Sequence, residues 1–282
     1  MSAAMARERA AGASIGFVPT LGCLHVGHGA LIKRARRENS VVAVSIFVNP
    51  PQFKPEAYRA YPRNMKDDMR LLKSLDVDYL FAPDETDMYP EGFDTQVETL
   101  DLAGRLEGEA IRWHYRAVAT VVAKLFNIIG PSKAYFGKKD AHQLAILRRM
   151  TEDLNFPVNI IPVPTVRDKD GLAFSSRNTL LTSEERVAAS AIPRALEAIA
   201  LKVSRGAEDR AALTQELISL LETEPLIKVD YAAVVDEKTL KPDVIGQKTF
   251  IHAAVIIGGK RLTDNRVASG GKGNKPRAKS GR

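Results

Sequence analysis

The sequence predicts an α/β protein, with a parallel sheet wrapped by helices followed by a smaller α+β unit. Three observations predict it. The apolar run Val41–Val48 (VVAVSIFV) shows no polar alternation, as expected of a strand buried on both faces. Such runs alternate with segments of helical periodicity through the first 165 residues. Beyond that point the rhythm changes, and two helical segments precede two strands.

The elements follow in order. Ile15–Val18 is a short strand that should end at Pro19, and His28–Glu38 reads as a helix. After the strand Val41–Val48 come a helix over Asn64–Leu75 and a strand over Val77–Ala82. Val118–Ile129 is apolar nearly all round, which predicts a buried helix. Strand Ala134–Phe136, helix Ala141–Leu154 and strand Val158–Val163 complete a Rossmann-like sheet domain over 1–165. Such sheets bind ligands beyond the carboxyl ends of their strands. Over 166–266 a C-terminal α+β lid domain is expected. Its helices are Ser183–Val203, with Ser183 as N-cap and acidic residues in the first turn, and Glu208–Glu222; its strands are Val229–Val235 and Thr249–Ile257. Residues 267–282 read as a disordered basic tail.

The charge map argues against one class of function. Lys and Arg number 41 against 34 Asp and Glu, but six of the seven surplus positive charges lie between Arg266 and Arg282. The body is nearly neutral and carries no basic stripe, so nucleic acid is not an expected partner. The apolar run at 41–48 is far shorter than the about 20 residues that a membrane span needs. The first 14 residues lack the apolar core of a secretion signal, and Cys23 has no partner for an intrachain disulfide. A cytoplasmic location is expected.

The densest chemistry is in Gly16–Gly29, GFVPTLGCLHVGHG, where a strand runs through a Pro-Thr turn into His25-Val26-Gly27-His28 at a helix start. A helix N-terminus attracts phosphate, and two imidazoles there can donate to phosphoryl oxygens. The H-x-x-H spacing alone reads first as a pair of ordinary loop histidines or a metal site, though no Cys or carboxylate partner for zinc is evident; strand, Pro-Thr turn and H-x-G-H together favour nucleotide binding. Asn49-Pro50-Pro51-Gln52 places two carboxamides in the loop after a buried strand, a composition that an ordinary turn shares. In Gly137-Lys138-Lys139-Asp140, Asp140 suits an N-cap, Lys139 a phosphate contact and Lys138 solvent. Ser175-Ser176-Arg177 is either a polar loop or a phosphate clamp. Asp67 and Asp68, adjacent on a helix, diverge by about 100° and read as solvated surface.

The string PT-LGCLHVGH resembles the signature of the pantothenate synthetases within the H-x-G-H nucleotidyltransferases. SIFVNPPQF (45–53), YPR (61–63), KLFN (124–127), FGKKD (136–140), Gln143, DGLAFSSRN (170–178) and LTDN (262–265) follow in that family's order, so the resemblance covers roughly 15–265. It implies ATP-dependent joining of pantoate and β-alanine through a pantoyl adenylate, with Mg²⁺ and a homodimer. It assigns catalysis to His25, His28, Lys139, Ser175, Ser176 and Arg177. ATP would contact Pro19, Thr20, Leu21, Gly137, Asp140 and Val166 beside those six. Gln52 and Gln143 would grip pantoate, and Asp67 and Asp68 would lie near the metal. The chain departs at Glu107–Tyr115 (EGEAIRWHY), where Ile111 stands at the family's Arg, Arg112 is displaced by one and Trp113 replaces a small residue. His114 and Tyr115 remain candidates for the pocket wall. Met1–Ser14 supplies only an Ala-rich, charged segment where the family carries a strand and a helix. A related nucleotidyltransferase with another acceptor, or a nucleic-acid-binding protein using the tail, are the alternatives.

Overall fold

The computed structural model describes residues 1–242 and 248–270. Two compact units meet in sequence between Val166 and Arg167. The first contains α1 (Ser2–Ala10), β1 (Ile15–Thr20), α2 (Val26–Glu38), β2 (Val41–Ile46), α3 (Pro55–Ala60), α4 (Met65–Ser74) and β3 (Tyr79–Phe81). It continues with α5 (Glu85–Met88), α6 (Gly108–Ile129), β4 (Lys133–Gly137), α7 (Ala141–Asp153) and β5 (Asn159–Val163). The five strands form one sheet in the order β3-β2-β1-β4-β5, parallel throughout. All six residues of β2 are buried, so both sheet faces are covered there. On one face Val18, Val42 and Val44 pack with Ile32 and Ala35 of α2 and Leu72 of α4.

The strand order reverses between β1 and β4, which is where an open α/β sheet forms its ligand crevice. β1 pairs with β2 along its whole length but with β4 only at Gly16 and Phe17. This explains why β1 runs through Pro19 instead of stopping there. Thr20 O accepts from Phe47 N on the β2 side, so Pro19, one residue earlier, turns its missing N–H toward the side where β4 has parted from β1.

Several boundaries differ from expectation. Helix α2 begins two residues early, with His25 as its N-cap. Helix α6 extends back to Gly108 and is kinked at Ile111 (φ −126°, ψ 34°), in the segment that departs from the family. Arg112 there donates to Glu98 Oε1 at 2.7 Å and to Leu100 O at 3.0 Å. The Ala-rich start is a helix held by Met5, which is fully buried, and by Arg9, whose guanidinium donates to Ile129 O at the end of α6.

The second unit contains α8 (Ser183–Ala189), α9 (Ala191–Ser204), α10 (Arg210–Glu222), β6 (Lys228–Asp236), β7 (Lys248–Ile257) and β8 (Lys260–Ser269). The expected helix 183–203 is two helices. Pro193 has no N–H for Ala189, so the ladder breaks and restarts with Pro193 in the first turn of α9. The N-cap is Thr182 rather than Ser183, and Glu185 closes a capping box with it. The antiparallel sheet β6-β7-β8 packs Val234, Ile251 and Val255 against Ile192, Leu196 and Leu217. Strand β8 was not expected, and it carries 267–269 into the sheet; residues 271–282 of the expected tail lie outside the described residues. Among the described residues, no helix is long and apolar enough to cross a membrane.

Candidate active site

The helix start after β1 is built by its two histidines. His25 Nδ1 accepts from Gly27 N at 3.1 Å, and His28 Nδ1 accepts from His25 N at 3.2 Å. This is a capping box in which histidine replaces the usual Glu. An Nδ1 that accepts a backbone N–H carries no proton, so these bonds assign the neutral Nε2–H tautomer to both rings. Burial pushes His28 down to about 3, with neighbouring His25 adding to the effect. His25 is lowered by burial and then by the Lys139 cation, with Asp140 opposing. At neutral pH both are therefore uncharged N–H donors, with ring centroids 4.1 Å apart. A side chain at Gly27 would put its Cβ 2.8 Å from His25 Cε1, so this glycine makes room for the imidazole.

The loop leading to that helix is clamped from α4. Asp68 Oδ2 accepts from Cys23 N at 2.9 Å and Oδ1 from Leu24 N at 2.6 Å. Asp68 is 4% exposed, which corrects its reading as solvated surface. Asp67 is exposed, pairing with Arg70 at 2.7 Å and bonding to Asn64. The two carboxylates thus have different partners and do not converge on one ion. No group of three or more potential metal-ligating His, Cys, Asp or Glu occurs among the described residues.

One cavity in the first unit, at the ends of β1 and β4, collects eight of the expected residues, and His25 and Lys139 are not among those that line it. Pro19, Thr20, Leu21 and His28 line it from β1 and α2; Gly137, Asp140 and Gln143 line it from β4 and α7; Gln52 lines it from the loop after β2. Val118, Val121, Val122 and Leu125 of α6 add an apolar wall that no motif announced. Their burial-prone spacing on α6 was the available signal. Lys139 sits in a short 3-10 turn over Lys138–Asp140. Asp140 occupies the N-cap position of α7 without making a side-chain capping bond, contrary to expectation. His114 is not a wall residue of this cavity; its Nδ1 donates to Gln52 O at 2.9 Å from behind. Tyr115 O–H donates to Glu107 Oε1 at 2.8 Å.

Val166 ends the first unit. Ser175 and Arg177 belong to the second, where Ser175 Oγ caps the 3-10 turn Ser176–Leu180 by accepting from Arg177 N at 3.2 Å. Arg177 is exposed, and its guanidinium donates to Arg261 O at 3.0 Å. Ser176 is in the same turn, and its side chain lies outside the described residues.

A parallel sheet whose first strand delivers an H-x-G-H helix start to its switch point defines an α/β enzyme of the nucleotidyltransferase type. Comparison narrows the class. The family model described as Pantoate-beta-alanine ligase matches residues 1–267. The chain belongs to the pantoate-beta-alanine ligase family. The pantothenate synthetase of Sinorhizobium medicae is 48% identical over 267 residues, covering 94% of this chain and 92% of that one. The crystal structure of pantothenate synthetase from Thermus thermophilus superposes with a TM-score of 0.84 at 45% identity, covering 93% and 96% of the two chains. The pantoate-beta-alanine ligase of Francisella tularensis, solved with beta-gamma ATP and beta-alanine, gives a TM-score of 0.71 at 38% identity, with 91% and 90% covered.

Proposed function

We propose that this chain joins pantoate to β-alanine at the expense of ATP through a pantoyl adenylate. A carboxylate oxygen of pantoate attacks the α-phosphorus, the bond to the bridging oxygen breaks, and pyrophosphate leaves. The amine of β-alanine then attacks the acyl carbon, loses a proton and expels AMP. The observation that carries this proposal is the reciprocal histidine cap beside a cavity lined by two carboxamides. The ATP and β-alanine held by the Francisella relative support it.

In this account the protein supplies positioning and charge stabilisation rather than covalent chemistry. The neutral Nε2–H groups of His25 and His28 donate to α-phosphate oxygens as negative charge builds there. Lys139 adds the fixed cation, with Ser175, Ser176 and Arg177 as the further phosphate contacts. Gln52 and Gln143 orient the acid, and Pro19, Thr20, Leu21, Gly137, Asp140 and Val166 surround the nucleotide. The second unit acts as the lid that keeps water from the mixed anhydride.

Mg²⁺ would accompany ATP and offset the charge of its phosphates. Asp67 and Asp68 do not fit as its ligands, since Asp68 is committed to Cys23 and Leu24 and Asp67 to Arg70 and Asn64, and no step is assigned to the ion. A homodimer in the cytoplasm completes the proposal. The test is ATP–pyrophosphate exchange. Exchange that requires pantoate supports it; exchange driven instead by a phosphorylated alcohol would show a related nucleotidyltransferase with a different acceptor.

A further inference from the structure

Gln52 is buried at 8% exposure, yet among the described residues only half of its carboxamide has a protein partner. Asn49 Nδ2 donates to Gln52 Oε1 at 3.1 Å and to the backbone oxygen of Ala117 at 3.3 Å. A backbone oxygen can only accept, so the nitrogen of Asn49 must face Ala117 and Gln52. Asn49 Oδ1 then faces the other way, where Tyr89 O–H donates to it at 2.5 Å. Asn49 is fully buried, and its carboxamide has one orientation only. That orientation fixes the next one. Gln52 Oε1 is engaged by Asn49, and Gln52 Nε2, without a partner among the described residues, is left for the cavity that Gln52 lines.

We infer that Tyr89 is a positioning residue for the acid substrate: through Asn49 it locks the Gln52 carboxamide so that an N–H donor, not an oxygen, meets the substrate's hydroxyl or carboxylate oxygen. Tyr89 does not line that cavity, and lies instead among Pro50, Phe93 and Trp113 on the far side of Asn49. No sequence motif marks it. The inference rests on the proposed pantoate site for the identity of the acid, but the relay itself is a property of the free protein.

Tyr89→Phe removes only the hydroxyl, since the ring keeps its packing on Phe47 and Phe93. Asn49 Oδ1 loses its donor and the carboxamides of Asn49 and Gln52 become free to turn over. The full chain should show a pantoate KM raised about tenfold, the effect of one buried hydrogen bond, with the KM for ATP unchanged. In an Asn49→Ala background the same substitution should add nothing, because the relay is already cut. Side-chain amide resonances of Asn49 and Gln52 should both shift in the ligand-free Tyr89→Phe protein. Unmoved Gln52 resonances, an equal rise in both KM values, or a full additional loss in the Asn49→Ala background would overturn the inference. Should the unsubstituted chain fail to use pantoate, the function fails, and the resonances still decide the relay.

Discussion

Asp68→Asn tests the clamp on the signature loop. In the native chain the two carboxylate oxygens each accept one backbone N–H, from Cys23 and from Leu24. A carboxamide has one oxygen, so its NH₂ must point at one of those N–H groups. A hydrogen bond to a charged acceptor is lost, and a buried donor is orphaned, at a cost of about 3 kcal/mol. Leu24 immediately precedes the N-cap His25, so slack in the clamp passes to the histidine pair. A displacement of about 1 Å at a positioning site lowers turnover by about a hundredfold. Urea unfolding should therefore show a lower midpoint with an unchanged slope. Pyrophosphate release with ATP and pantoate should fall at every Mg²⁺ concentration. Refutation would be a variant of native stability whose activity returns in excess Mg²⁺, which would make Asp68 a metal ligand instead.

Further outcomes follow from the same site. Gly27→Ala should lose adenylation at least tenfold, because its Cβ displaces His25, and pantoate-dependent ATP–pyrophosphate exchange reads that loss. His28 resists protonation in the folded state down to about 3, whereas the unfolded chain takes up that proton near 6.5. Its contribution to stability is thus complete above pH 6.5 and lost as pH falls toward 3, by up to about 1.4 kcal/mol per unit. His28→Asn should flatten that part of the pH–stability curve, and an unchanged slope would contradict the assignment. Lys139→Ala should abolish most pyrophosphate release while leaving the fold intact, and should raise the His25 pKa seen by NMR, since it removes a neighbouring cation.

The sheet was legible because β2 is buried at every position, and the buried run is visible in the letters. The histidine pair was legible as the start of a helix after a strand, whereas Gln52 and Gln143 entered only through the family resemblance, because Asn-Pro-Pro-Gln by itself reads equally well as a turn. Strand β8 was not, because Lys260, Arg261, Asp264 and Arg266 make its segment read as polar loop; Asp264 is nevertheless buried, holding Arg167 through both oxygens. The roles of Asp68 and Tyr89 were illegible for a different reason. Asp68 reaches Cys23 across 45 residues and Tyr89 reaches Asn49 across 40, so only the fold brings the partners together. Adjacent carboxylates in a helix carry no sign that one is turned inward.

Isotope transfer shows most directly whether pantoate's carboxylate attacks the α-phosphorus of ATP. Pantoate labelled with oxygen-18 in its carboxylate would be turned over with ATP and β-alanine, and the nucleotide product analysed by mass spectrometry. Attack by the carboxylate gives AMP bearing one labelled oxygen, formed in equal amount with pantothenate. Label in inorganic phosphate with ADP as the nucleotide, or AMP without label, would contradict it.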